Sequence, residues 1–326
     1  MDFAGLLKPV PRRSSFAMDD WYVWGGSMVR TRDGVCHLLF SRWPLELGHN
    51  AWVTHSEIAH ATARDPLGPY TFQGVALAGA GGDAWDADVT HNPTVIEVEG
   101  RFYLYYMGNR GNGEFWDHRS NQRVGVAVAD HPAGPWERFD RPVLDVTPGA
   151  WDCLMTSNPS CCQGPDGRIR MLYKGVGAGP MPKGGAVLSG AAVADSPLGP
   201  FTKHPEPVVR NPENDWAVED PFMWFQAGRF WALIKDFQGY FTGGERDILA
   251  LFESPDGIDW KPAAQPIAVR REILWEDGEV QCVRNLERPQ LHLEDGRPTV
   301  LFCACDPDIG GDRRRSFNVH IPLGEV

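Results

Sequence analysis

Residues 217–238 read "AVEDPFMWFQAGRFWALIKDFQ". Two carboxylates, Glu219 and Asp220, stand side by side before Pro221, and two apolar runs joined by a short turn follow. Adjacent acids that are buried oppose each other's ionisation, because two like charges in a medium of low dielectric are costly together. Such a pair suits general acid and base chemistry near neutral pH, one group holding a proton while its neighbour is charged. A single Asp before Pro is more often a turn former. The pair gains meaning only from what the fold sets beside it.

The stretch is one of a set. "HNPTVIEVEGRFYLYYMGNR", "SNPSCCQGPDGRIRMLYKG", "ERPQLHLEDGRPTVLFCACD" and, more distantly, "GGSMVRTRDGVCHLLFSRW" share its plan of a polar opening, a strand, a turn and a second strand. The turn glycines Gly34, Gly100, Gly167, Gly228 and Gly296 recur at intervals of 61 to 68 residues. Self-similarity at a fixed period marks a repeat architecture. A second motif alternates with the first: "RDPLGPYTF", "DHPAGPWERF", "DSPLGPFTKH" and "ESPDGIDWKP". Each follows a short alternating strand such as "GVAVA" and precedes another such as "RPVLDV" or "EPVVR". Every unit thus reads as four antiparallel strands joined by turns rich in Gly, Pro, Asp and Ser.

Five such units span residues 1–326 and predict a single all-β domain, a five-bladed β-propeller. The 36 glycines and 27 prolines suit many tight turns rather than long helices. The fifth unit ends at "RRRSFNVHIPLGEV", one strand short, and the N-terminal "LLKPVPRRSS" resembles the missing fourth strand. The N-terminal strand is therefore predicted to close the ring and remove an open sheet edge.

In a propeller the innermost strand of each blade runs along the central channel. Its start and the end of its antiparallel partner share one mouth. Strand starts bring Trp24, His91, Asn92, Asn158, Glu219, Asp220, Glu287 and Arg288 to that mouth. Second-strand ends add Arg42, Trp43, Asn109, Lys174, Lys235 and Asp236. The approach segments "WDADVTHNP" and "WDCLMTSNP" add Asp88 and Asp152. Carboxylates among amides, cations and tryptophans are the chemistry of glycosidic-bond cleavage, in which two acids flank the bond. Glu219 beside Asp220 is the most suggestive local pair, and Asp88, Asp152 and Glu287 are the further catalytic candidates. The remaining mouth residues are candidates for substrate binding. Lys174, Lys235 and Arg288 read equally well as partners that neutralise nearby acids.

Composition narrows the field. A net charge of −12 argues against nucleic acid as a partner, since phosphate binding needs a basic face. No run of 18 apolar residues and no basic amphipathic helix suggests a membrane. The opening "MDFAGLLKPVPRRSSF" lacks a secretory pattern. Seven cysteines, two of them adjacent at Cys161 and Cys162, show neither CxxC nor Cys/His metal spacing. The expectation is a cytoplasmic protein with no metal ligand set in its sequence.

Alternating strands followed by turns such as "DSPLGPF", with inner strands opened by "EDP" or "HNP", resemble the five-bladed propeller glycosidases of glycoside hydrolase families 43, 62 and 117. The resemblance extends over all five blades. It implies a glycoside hydrolase, exo-acting and inverting, that takes a short oligosaccharide. The basic residues Arg42, Arg110, Lys174, Lys235 and Arg288 favour an acidic or sulfated sugar, and an anhydro-sugar is the other candidate. The resemblance allows a structural divalent cation in the channel and implies no other cofactor. Family 43 members work with an Asp base, a second Asp that tunes pKa and a Glu acid. That set does not transfer by position: blade one offers Gly26 and Ser27, blade two Asn92 and blade three Asn158. Glu219, two residues before Pro221, matches the "EGP"-type motif of the acid. A glycan lyase, a phosphorylase and a non-catalytic carbohydrate-binding propeller are the alternatives, since fold does not decide function.

Overall fold

The computed structural model describes residues 1–307 and 315–324. Blade one is built from Trp21–Arg30, Cys36–Pro44, Glu57–Ala63 and Thr71–Leu77. Blade two follows with Val89–Val98, Arg101–Asn109, Arg123–Ala129 and Glu137–Arg138. Blade three holds Met155–Gln163, Ile169–Val176, Val187–Ala194 and Thr202–Lys203. Blade four holds Val218–Gln226, Arg229–Asp236, Ile248–Ser254 and Lys261–Val269. Blade five takes Asn285–Glu294, Arg297–Asp306 and Phe317–Pro322 from the C-terminal end and Ser15–Phe16 from the N-terminal end. The chain is a five-bladed propeller of four-stranded antiparallel sheets.

Ring closure is as expected in kind but shifted in place. Ser15 pairs with Val319 and Phe16 with Asn318, at the far end of the predicted "LLKPVPRRSS" stretch. Earlier in that stretch the chain makes single bridges, Leu7 to Leu323 and Val10 to Trp275. The fourth strands of blades two and three also differ from expectation. They fall on Glu137–Arg138 and Thr202–Lys203, directly after the Gly-Pro turns. "RPVLDV" and "EPVVR" contribute only the bridges Val124–Leu144 and Ser189–Val209. Pro142 and Pro207 cannot donate to a ladder, so those stretches do not extend one.

The innermost strands share a device that bears on the site. Each breaks register at the same point, between Trp24 and Gly26, His91 and Thr94, Ser157 and Ser160, Glu219 and Phe222, and Glu287 and Gln290. In each break one residue adopts a left-handed backbone: Gly25, Asn92, Asn158, Asp220 and Arg288, with φ between 47° and 55°. Four of the five precede a proline, whose missing N–H is no loss at a bulge. A non-glycine residue in this region costs of order 1 kcal/mol or more. Recurrence shows what the strain achieves: in blades two to five the bulge re-aims the side chain of Asn92, Asn158, Asp220 or Arg288 into the channel, and in blade one Gly25 has no side chain to send.

Between blades the core is apolar and aromatic. Trp224, Trp231, Leu233 and Leu251 of blade four pack with Leu291, Leu301 and Val319 of blade five, and Phe3 from the N-terminal segment joins them. The blades therefore hold the mouth residues on buried, well-packed strands.

Candidate active site

The five left-handed positions form a circuit around the channel. Asn92 Nδ2 donates to Asn158 Oδ1 at 2.8 Å, and Asn158 Nδ2 donates to Asp220 Oδ1 at 2.6 Å. Arg288 completes it, with NH1 3.7 Å from Asp220 Oδ1 and NH2 donating to the Asn92 carbonyl at 2.7 Å. One side chain from blade five thus touches blades two and four, which sets the guanidinium at the centre of the ring. Blade one makes room: a Cβ on Gly25 would lie 2.6 Å from Arg288 Cγ. A deeper layer repeats the stitching, with Gln290 donating to Thr94 Oγ1 at 3.2 Å and Thr94 to the Pro159 carbonyl at 2.8 Å.

Above the ring stand the charged groups that precede it on each strand. Lys174 Nζ lies 2.5 Å from Glu219 Oε1, and Lys235 pairs with Glu287. Asn158 Nδ2 also reaches Glu219 Oε1 at 3.3 Å, so one amide bridges the two adjacent acids. Their charge states diverge. Burial raises Glu219, but Lys174 and Lys235 together outweigh it and bring the carboxyl down to about 2. Burial and the neighbouring Glu219 charge push Asp220 up to about 7, against the pull of Arg288. One acid is therefore ionised while its neighbour holds a proton close to neutral pH. Lys235 is held charged, because Glu287 and Glu219 more than offset its burial.

An aromatic wall lines the blade-one side. Trp43 stacks on Tyr22 with ring centroids 5.1 Å apart and meets Trp24, His49 and His91 edge-on. Trp52, from the short helix Trp52–His55, stacks on His91 at 5.1 Å. Burial, with help from Arg288 and Lys174, drives His91 well below its ordinary pKa, and Ser56 Oγ sits 2.7 Å from its Nδ1. His91 is a neutral hydrogen-bonding group.

Across the mouth, the helix Phe115–Ser120 carries Arg119. This guanidinium lies between the indoles of Trp116 and Trp216, 5.4 and 5.5 Å from their ring centroids. Its NH1 donates to the Lys183 carbonyl at 2.9 Å, and Glu219 is its acidic neighbour. Arg119, Trp52 and Trp216 are not among the residues expected from the repeat, because two lie in insertions and one in an approach segment. The available signal was "EFWDHRS", an Arg among aromatics in a connection that the topology puts at the mouth.

The structure brings Trp24, Trp43, His91, Asn92, Asn158, Lys174, Glu219, Asp220, Lys235, Glu287 and Arg288 together at one mouth. Other candidates are used elsewhere. Asp152 is 1% exposed and is held by Lys203 at 2.6 Å and the Tyr173 hydroxyl at 3.0 Å, partners from the outer and second strands of its own blade. Asp86 makes the same arrangement in blade two with Tyr106 and Arg138. The "WD" motif is thus a repeated structural clamp, completed by Trp85 stacked on Tyr106 and Trp151 on Tyr173. Asp88 is exposed on the rim and accepts from the Gly111 amide at 2.9 Å. Asp236 accepts from the amides of Gly239 and Phe241 and from Thr242 Oγ1, which fixes the following loop. Asn109 braces two insertions, donating to the Val53 carbonyl and contacting His118. Arg42 is forked onto Glu57 and covers Trp21. Arg288, expected to bind substrate, is wholly buried in the ring.

That burial also answers whether a divalent cation fits the channel. The guanidinium occupies the ring's centre, and among the described residues its Nε and NH1 have no hydrogen-bond acceptor. An ion placed there would face a fixed positive charge, and the nearby carboxylates Glu219 and Glu287 are already paired with Lys174 and Lys235. The ring residues do not fit a divalent ion.

No protein-family model and no curated protein matches this sequence. Solved structures do match. Zg3597, a family 117 glycoside hydrolase of the marine bacterium Zobellia galactanivorans, superposes with a TM-score of 0.65 at 19% identity, over 97% of this chain and 89% of that one. An endo-arabinase from Bacteroides thetaiotaomicron gives a TM-score of 0.60 at 16% identity, over 98% of both proteins. A thermostable family-43 glycoside hydrolase gives 0.63 at 13% identity, over 98% and 96%. The resemblance read from the "EDP", "HNP" and "DSPLGPF" motifs therefore holds for the fold: this chain shares its five-bladed propeller with glycoside hydrolases of families 117 and 43.

Proposed function

We propose that this protein is a glycoside hydrolase that cleaves a short acidic oligosaccharide at the channel mouth. The observation that carries the reading is the divergence of two adjacent acids, the buried Asp220 raised to about 7 and the half-buried Glu219 lowered to about 2. Neighbouring titratable groups pushed apart in this way mark acid and base assignments. In this reading Asp220 donates the proton to the leaving oxygen, so the acid role expected of Glu219 passes to its neighbour. Glu219, ionised by Lys174, opposes the positive charge that develops on the sugar ring. Glu287, on the next blade and separated from Glu219 by Lys235, activates water, which makes the reaction inverting. Trp52, the partly exposed member of the aromatic wall, offers an apolar face to a sugar ring, and the buried Trp24 and Trp43 support the wall from behind. Cleavage from a chain end and a cytoplasmic setting, supported by seven free thiols, complete the proposal.

The test is product analysis over neutral, uronate-ended and anhydro-sugar oligosaccharides, with and without phosphate. Release of a sugar with inverted anomeric configuration, lost in Asp220→Asn and Glu219→Gln while the proteins stay folded, supports the reading. A strict phosphate requirement would move the enzyme to the phosphorylases, and an unsaturated product to the lyases. No cleavage of any member of the panel would leave a binding propeller.

A further inference from the structure

We infer that Arg119 forms a carboxylate-binding subsite, so that the sugar held beside Glu219 and Asp220 is a uronate. The inference deepens the glycosidase reading and rests on it for the position of the sugar ring, but its readout is binding.

The other cations around the acids are either paired or sealed from any ligand. Lys174 pairs with Glu219, Lys235 with Glu287, and Arg288 is enclosed in the ring next to Asp220. Arg119 is different. Among the described residues its hydrogen bonding amounts to one bond, from NH1 to the Lys183 carbonyl. Using NH1 in this way leaves the edge formed by Nε and NH2, two parallel N–H groups at the spacing of a carboxylate's two oxygens. The guanidinium carbon lies over both Trp116 and Trp216 in a side chain only 5% exposed, so little freedom remains to be lost when a ligand docks.

Burial adds the driving force. Arg119 is only 5% exposed, and a cation removed from water without a counter-ion is unfavourable until an anion arrives. The acids at hand do not fill that role: Glu219 is already engaged by Lys174 and Asn158. With Asp220 protonated, the cations Arg119, Lys174, Lys235 and Arg288 outnumber the charged Glu219 and Glu287. A sugar bearing one negative charge brings this mouth closer to balance. Arg119 lies over Trp216, three residues before Glu219 on the approach to the same strand, so a uronate seated on the fork has its ring at the catalytic pair.

The experiment measures binding to the intact protein by calorimetry and by tryptophan fluorescence, to which Trp116 and Trp216 report directly. The probes are galacturonate- and glucuronate-ended disaccharides, their neutral methyl esters, a 6-sulfated galactose disaccharide and inorganic phosphate. The wild type is expected to bind a uronate at least tenfold more tightly than its ester. Arg119→Gln should lose that ratio while holding the ester as well as before, and Arg119→Lys should keep part of it. Equal affinity for acid and ester in the wild type, including no binding of either, overturns the inference. So does equal weakening of both by Arg119→Gln, or tighter binding of the sulfated sugar or of phosphate. Should the discrimination be found without any bond cleavage, the subsite stands and the hydrolase reading falls.

Discussion

The Lys174 ammonium, on the second strand of blade three, lies 2.5 Å from Glu219 Oε1 on the innermost strand of blade four. The lysine side chain is 6% exposed and the glutamate 22%, so solvent screens the pair little. It is this contact, with Lys235 behind it, that keeps Glu219 ionised and thereby pushes the proton onto Asp220. Removing one partner of such a pair strands the other charge. Lys174→Met is predicted to cost about 3 kcal/mol of stability, read as a lower urea midpoint at pH 7. The double variant Lys174→Met with Glu219→Gln should recover much of that loss, because no unpaired carboxylate remains.

Asp220 should govern the alkaline limb of activity. Its folded pKa, about 7, lies above the ordinary carboxylate range, so the active protonated form is lost as pH rises through 7. Stability follows the same sign. Between about pH 4 and 7 the folded state keeps a proton that the unfolded state has released, so this group destabilises the fold as pH rises, by up to about 1.4 kcal/mol per pH unit. Asp220→Asn is predicted to abolish the alkaline limb near 7. It should also flatten the pH dependence of the urea midpoint between pH 5 and 7.5. The unchanged slope of both curves would contradict the assignment.

Asp152 is predicted to matter for folding alone. Its carboxylate is buried against Lys203 and Tyr173. Asp152→Asn leaves Lys203 uncompensated and should cost about 3 kcal/mol. At a temperature where the variant is folded, kcat should stay within about twofold of wild type, since a lost general base costs 10²-fold or more.

Arg288 and Gly25 are coupled by contact. An alanine at 25 would set its Cβ 2.6 Å from Arg288 Cγ in a backbone with φ of +47°. Gly25→Ala is predicted to destabilise by about 2 kcal/mol or more through strain and displacement of the buried arginine. Because the guanidinium already fills the channel centre, extensive dialysis against a chelator should leave both Tm and activity unchanged, and added calcium should raise neither. A Tm drop on chelation would show that the cation reading of Arg288 is wrong.

The architecture was legible because the chain writes each blade in similar residues. Glycine turns and the polar-Pro openings recur at one period, and a period can be read without knowing any contact. The convergence of Asn92, Asn158, Asp220 and Arg288 was legible for the same reason: they occupy one position in successive repeats. Three things were not. Arg119 sits in an insertion, where no period applies. Asp152 looked like a partner of Asp88, yet in the "WD" motif it is the counterpart of Asp86, and only the position of Tyr173 and Lys203 reveals the clamp. The division of charge between Glu219 and Asp220 depends on Lys174, Lys235 and Arg288, each distant in sequence from the pair. Adjacent acids in a sequence look alike; their neighbours in space tell them apart.

The most direct test of the account is the rate at which Asp220→Asn and wild type release sugar from a uronate-ended oligosaccharide at pH 6. Clear turnover is expected of the wild type and a loss of at least 10³-fold in kcat of the variant, in line with removal of a general acid. A folded Asp220→Asn protein within threefold of wild type, or a wild type that cleaves none of these sugars, would contradict it.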